Sequence, residues 1–334
     1  MHRDSRIKIF TWHIHGSYLY YLSHCDFDIY IPLGDKKKEG YIGRGTTFPF
    51  GSNVIEVPVN QIKQLTFDCI LFQTNHNYLK DQYEILSEEQ RNLPAIYLEH
   101  DPPQGVPTDT RHVVDLGRVQ IVHVTHFNKL MWNNNDSPAT VIDHGVTVPQ
   151  NIVYTGEIDK GIVVINNLQD RGRRLGADIF MELRKHVPLD LIGMGTKDIG
   201  GLGEVLHPQL PQFISRYRFF FNPIRYTSLG LAVLEAMMIG IPVVGLATTE
   251  MVTVIRDGES GILHTDTNYL IKKMKQLIED KALAKQLGDE GRRVVNERFN
   301  INRFTKDWEK LVGKVIQGSH AKDLIHDSEL IIEL

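Results

Sequence analysis

The run from Phe219 to Gly245 reads FFFNPIRYTSLGLAVLEAMMIGIPVVG, and Glu235 within it is placed where a carboxylate is costly. It stands between Leu234 and Ala236 in a helix-forming stretch whose Leu231, Leu234 and Met238 recur at helical spacing. An unpaired buried carboxylate costs several kcal/mol or takes up a proton. Glu235 therefore either faces solvent or caps nearby backbone, or accepts hydrogen bonds from the hydroxyls of a bound ligand. A second set of candidates is cationic. Arg171, Arg173 and Arg174 precede a helix with Ile179, Phe180 and Leu183 on one face. Guanidinium groups there are either solvated or suited to a diphosphate, which accepts paired hydrogen bonds. A third is Glu99-His100-Asp101-Pro102-Pro103, where prolines stiffen a loop carrying His100 and Asp101. The plain alternative is a histidine capped by its neighbouring acid. A fourth is His13-Ile14-His15-Gly16-Ser17, where Gly16 opens an anion site at a helix start, or Ser17 is simply the N-cap.

Positioning these residues takes strands. Phe219 to Asn222 is a short apolar block ending at Pro223, as expected of a buried parallel strand. The segment 223–230 is polar, with Arg225, Tyr226, Thr227 and Ser228, and ends at Gly230 before the helix beginning at Leu231. Gly240 stops that helix, and Ile241 to Val244 starts the next strand. Strand, loop, helix and strand make one parallel crossover, and ligands of such sheets sit beyond the carboxyl ends of the strands. The same pattern puts strands at Ile7–Trp12, Asp28–Ile31, Val54–Val59, Cys69–Gln73, Pro94–Leu98, Ile121–Val124, Gly161–Ile165 and Leu189–Ile192. The last of these ends in Gly193-Met194-Gly195, which lets a ligand approach the backbone closely.

Composition narrows the function classes. The 334 residues are 42% hydrophobic and 23% charged, long enough for two ordinary domains. A net charge of −4 leaves no global basic field for nucleic acid. Cys25 and Cys69 give neither a disulfide framework nor a metal spacing, and the 15 histidines form no H-E-x-x-H pattern. No apolar run reaches the roughly 20 residues that span a bilayer, and Met1 to Phe10 shows no signal peptide, so the expected location is cytoplasmic. The segment KKKEGYIGRGTTFPFG, from Lys36 to Gly51, is either a solvated loop or a peripheral contact with the inner membrane face.

As a block, NPIRYTSLGLAVLEAMMIGIPVV resembles the signature of the retaining GT-B glycosyltransferases of family four. Pro223, Gly230, Leu231, Leu234, Glu235, Ala236, Met237, Gly240, Pro242, Val243 and Val244 match it. The resemblance is strong over residues 160–300 and looser before. It implies that Glu235 holds the ribose of a UDP- or GDP-sugar. The family's first glutamate, eight positions upstream, falls on Thr227. The resemblance also implies a donor site formed by Gly16, Arg173, Arg174, Gly193, Gly195, Val205 beside the base, and Arg225, Tyr226, Ser228, Gly230 and Leu231 of the signature loop. His100, Asp101 and Thr227 then lie by the reacting sugar. Asn167 stands where the family usually has an arginine, and Thr249-Glu250 replaces a pair of glycines.

The fold class implied is α/β, GT-B: two Rossmann-like doubly wound domains facing a central cleft. Its divisions are an acceptor-side domain over 1–155, a nucleotide-sugar domain over 156–300, a helix over 301–318 crossing back, and a tail over 319–334. The activity implied is sugar transfer to an acceptor hydroxyl with retention, in cell-surface glycan or glycoconjugate synthesis. No cofactor or metal is required, and the acceptor is a glycan, a lipid-linked group or a small molecule. The rival reading is a degenerate GT-B protein that binds nucleotide or glycan without turnover. A dehydrogenase-like nucleotide binder is disfavoured, because HIHGS follows the first strand where G-x-G-x-x-G would be needed.

Overall fold

The computed structural model describes residues 6–35 and 38–330, with side chains described as far as residue 318. The chain forms two compact units, one of residues 1–143 with 302–334 and the other of 144–301.

In the first unit seven strands form one parallel sheet. They are β1 (Ile7–Thr11), β2 (Phe27–Leu33), β3 (Val54–Pro58), β4 (Cys69–Phe72), β5 (Ala95–Glu99), β6 (Val119–His123) and β7 (Ala139–Val141). Their order is β3-β2-β1-β4-β5-β6-β7. The sheet thus runs outward in both directions from the β1/β4 junction, where ligands of doubly wound folds bind. The strands are short, and those at the centre are buried on both faces: β4 is buried throughout, as a strand covered by helices on both sides must be. Phe10, Trp12, Ile70, Phe72, Tyr97 and Ile121 build one of its core clusters. Gly16–Leu22 forms a helix directly after β1, with His15 at its N-cap position, so Ser17 lies inside the helix and is not its cap. The helix Ile301–Leu330 belongs to this unit; its Phe304, Trp308, Val312 and Ile316 are buried, and Trp308 Nε1 donates to the Tyr18 hydroxyl at 3.1 Å.

The second unit carries β8 (Ile158–Val164), β9 (Leu189–Ile192), β10 (Tyr217–Asn222), β11 (Val243–Leu246) and β12 (Ile262–His264). They are parallel, in the order β12-β11-β10-β8-β9, so the reversal falls between β8 and β10. Strand β10 is buried at every residue. Its Arg218 is 0% exposed and survives there because each guanidinium nitrogen has a partner. It donates to the carbonyls of Gly156, Leu277 and Ile278 and pairs with Asp159. Leu277 and Ile278 close the helix Thr267–Glu279, so Arg218 serves the orphan carbonyls at that helix's end.

Candidate functional site

The helix Leu231–Ile239 follows β10 with Gly230 as an extended N-cap and no side-chain cap. Gly240 ends it in the left-handed conformation, at φ 94°. Seven of its nine residues are buried, Glu235 among them at 4% exposure. That carboxylate has a partner the sequence did not suggest. His207 Nε2 lies 3.5 Å from Glu235 Oε1, and the His207 side chain is itself only 16% exposed. His207 belongs to the turn that follows the segment 201–206, which includes Val205, half-buried. No spacing in the sequence links the two residues; only the fold brings them together.

The cationic loop lies at the same strand ends. Backbone N–H groups of Arg225 and Tyr226 donate to the carbonyl of Arg174 at 3.0 and 3.3 Å, tying the signature loop to the arginine loop. Arg225 grips Asp178 with two bonds, Nη1–Oδ1 at 2.6 Å and Nη2–Oδ2 at 2.8 Å, and Arg173 Nη1 reaches Oδ2 at 2.5 Å. The bonding by Arg225 holds the Asp178 carboxyl below the usual carboxylate range. Arg173 is otherwise exposed, whereas Arg174 is half-buried and its Nη1 is buried without a hydrogen-bond partner among the described residues. A desolvated guanidinium N–H left unmatched is costly, and an anion would satisfy it. Thr227 and Ser228 are half-buried in the same loop, and Leu231 opens the helix half-buried.

Backbone, rather than side chain, explains the glycines. A Cβ on Gly176, at φ 82°, would lie 2.0 Å from the Pro223 carbonyl oxygen. One on Gly193, at φ 142°, would lie 2.4 Å from the Ile165 carbonyl oxygen. The loops after β8, β9 and β10 are therefore pressed against each other at the β8/β10 reversal. Asn167 sits there at φ 51°, and its N–H donates to Met194 at 2.7 Å; Gly195, at φ 65°, faces its side chain. Thr249 holds φ 50°, a conformation suited to glycine. Glu250 turns inward, 2% exposed, to Thr253 Oγ1 at 2.6 Å and Arg298 Nη2 at 3.3 Å. Asp257 accepts from Leu263 N–H at 2.9 Å and from the Tyr269 hydroxyl at 3.1 Å, which makes it a turn-former.

The first unit gathers its own polar cluster at the β1/β4 junction. His100, just after β5, has its ring centroid 3.9 Å from that of His15 and meets Tyr18 edge-on at 5.0 Å. Its Nε2 lies 3.1 Å from Gln73 Oε1, and its carbonyl accepts from Asn128 Nδ2 at 3.1 Å. Asp101 is positioned through its backbone: its N–H donates to Glu99 at 3.0 Å, and its carbonyl accepts from Trp132 Nε1 at 2.8 Å. Gly16 is crowded, since a Cβ there would lie 2.3 Å from the Phe48 ring. His13 donates from Nδ1 to the Gly43 carbonyl at 2.6 Å, yet burial still lowers its pKa. Of the segment read as a membrane-contact option, Lys36 and Lys37 lie outside the described residues. Lys38 is paired with Asp81 at 3.0 Å, Arg44 donates to the Phe50 carbonyl, and Tyr41 and Phe50 are buried.

Among the described residues no cluster of metal-ligating side chains occurs and no helix is long and apolar enough to cross a membrane. Residues 177–280 match the family described as Glycosyl transferases group 1. The chain is similar to the N-acetyl-alpha-D-glucosaminyl L-malate synthase of Bacillus anthracis, with 30% identity over 92 residues. That match covers 27% of this chain and 24% of the relative, so it spans about a quarter of the relative's length. Sucrose-phosphate synthase from Thermosynechococcus elongatus superposes with TM-score 0.67 at 14% identity, over 94% of this chain and all of that one. HepE of Anabaena, solved with UDP and glucose, superposes with TM-score 0.66 at 13% identity, over 92% and 100%. The chain has the GT-B fold of these glycosyltransferases.

Proposed function

We propose that the protein transfers a sugar from a UDP- or GDP-sugar to an acceptor hydroxyl with retention of configuration. The observation that carries this reading is Glu235: a carboxylate 4% exposed, beside His207, on the helix that leaves the β8/β10 reversal. A ribose diol offers two donors to such a carboxylate. The unmatched Nη1 of Arg174 supplies a place for a diphosphate oxygen, and a half-buried cation there stabilises the charge that gathers on the leaving group. Among the described residues we assign no carboxylate as a covalent nucleophile. The route is then front-face attack, with the leaving diphosphate taking the acceptor's proton and the protein supplying position and charge. His100 acts at the reacting sugar, and Thr227 shapes donor choice. The acceptor is a glycan, a lipid-linked group or a small molecule, in cell-surface glycan or glycoconjugate synthesis.

A second reading rests on Thr249 and Glu250. Where the resembled family has two glycines, one residue is strained and the other is consumed by Arg298. A scaffold altered there binds nucleotide without turning it over. Incubation with UDP- and GDP-sugars, with nucleotide release as readout and the product's anomeric configuration read by NMR, separates the two. Release with a retained anomer supports transfer. Binding of UDP or GDP with no release supports the second reading, and an inverted product refutes retention.

A further inference from the structure

Gln73 follows β4 at the junction with β1, and its side chain is 6% exposed. Its amide orientation is settled by its neighbours. The Thr11 hydroxyl donates its single proton to the Leu71 carbonyl at 2.8 Å, so toward Gln73 it accepts. The Trp12 carbonyl also accepts. Both face one end of the Gln73 side chain, at 2.9 and 2.7 Å, and only an NH2 group serves two acceptors. The other end is then the oxygen, and it faces His100 Nε2 at 3.1 Å. An amide oxygen has no proton to give, so Nε2 must carry one. Neutral His100 is held as the Nε2–H tautomer, and its lone pair is on Nδ1.

We infer that Gln73 is the positioning residue of His100, fixing its neutral ring as the Nε2–H tautomer. This rests on the transfer reading above for the role of His100, but the tautomer does not depend on that reading. The chain of bonds runs from backbone to backbone: Leu71 to Thr11, Thr11 and Trp12 to Gln73, Gln73 to His100, and Asn128 to the His100 carbonyl. It crosses from β1 and β4 to the loop after β5, so the ring orientation is a property of the sheet. The same chain assigns chemistry: the ring cannot offer Nε2 as a base while Gln73 occupies it, and the lone pair of the neutral ring is on Nδ1. His15 and Tyr18 pack against the ring.

The test uses the full chain labelled with 15N-histidine. Two-bond 1H–15N spectra separate protonated from unprotonated ring nitrogens, and His100 is assigned by the signal lost in His100→Gln. The expected wild-type spectrum of the neutral ring shows Nε2–H with unprotonated Nδ1; Nδ1–H in the neutral ring overturns the inference. Gln73→Leu removes the acceptor and is expected to release the tautomer into a mixture, lowering turnover about tenfold or more while UDP and GDP affinities stay unchanged. Gln73→Glu keeps an acceptor oxygen and is expected to retain Nε2–H. An unchanged tautomer in Gln73→Leu overturns the positioning role, and should that variant fail to fold, the wild-type and Gln73→Glu spectra still decide. A fixed tautomer in a protein that transfers no sugar refutes the transfer reading and leaves the bond chain standing.

Discussion

At the β1/β4 junction of the first unit, the candidate site is made of side chains: Gln73, His100 and His15 meet through an amide and closely packed, tilted rings. At the β8/β10 reversal of the second, it is made largely of backbone. Loops approach so closely that Gly176 and Gly193 have no room for a Cβ, and a buried helix presents Glu235. Both units are doubly wound parallel sheets, so the architecture does not account for the difference. A site of side chains leaves a sequence trace only at a few scattered positions, and other polar residues could occupy them. A site of packed backbone constrains every residue around it, because each glycine, proline and small residue is required by space. The stretch that matches a known family, 177–280, lies in the second unit and includes Gly193 and Glu235.

The sharpest way to break this contrast is Gly176→Val. A β-branched residue at φ 82°, with its Cβ 2.0 Å from a carbonyl oxygen, is expected to lower stability by about 4 kcal/mol or more. Urea unfolding measures it; a loss under 1 kcal/mol would show the loops to be pliable. The first unit has the opposite sensitivity, to protons. Asn134 uses its amide N–H groups on the Lys129 and Trp132 carbonyls, so its oxygen accepts from His123 Nε2 at 2.7 Å and leaves Nδ1 buried and unprotonated. Burial lowers the His123 pKa to about 4. The unfolded chain binds the proton near pH 6.5 and the folded one does not, so stability is complete above 6.5 and falls with decreasing pH down to about 4. The slope is about 1.4 kcal/mol per pH unit. His123→Gln, which keeps a donor for Asn134, is expected to flatten that part of the stability–pH curve; an unchanged curve would refute the assignment.

In the second unit Glu235→Ala is expected to weaken UDP or GDP binding by about 1–3 kcal/mol in calorimetry, the range for hydrogen bonds to a charged group. Wild-type affinity in that variant would assign the carboxylate to the fold and not to the nucleotide. The smallest effect is expected at Thr249. Thr249→Gly removes a left-handed strain and should raise the midpoint of thermal unfolding, by about 1 kcal/mol in free energy. A lower midpoint would mean that the threonine side chain compensates its own strain.

What could be read in the sequence follows the same division. The helix Leu231–Ile239 is predicted and observed with the same ends, because Gly230 and Gly240 mark both of them. Ten of the twelve parallel strands described are legible from their short apolar runs; β7 and β12, of three residues each, were not. The Glu235–His207 pair was not, since two residues brought together by a turn after one strand and a helix after another share no periodicity. Gln73 was legible only as the last residue of a strand; that it orients His100 depends on three acceptors and donors from β1 and β4. Ser17 misled because a serine before an apolar run signals an N-cap, whereas the helix here starts earlier, at Gly16.

The bond from Trp308 to Tyr18 joins residues 290 positions apart. During synthesis the amino-terminal part of the first unit emerges long before the helix that covers Tyr18. Residues 144–301 are made in between and form a unit continuous in sequence. At ribosomal speeds Tyr18 waits on the order of tens of seconds for Phe304 and Trp308. The second unit can therefore finish folding while the first is still incomplete. For that interval Tyr18 lacks the aromatic cover that Phe304 and Trp308 supply.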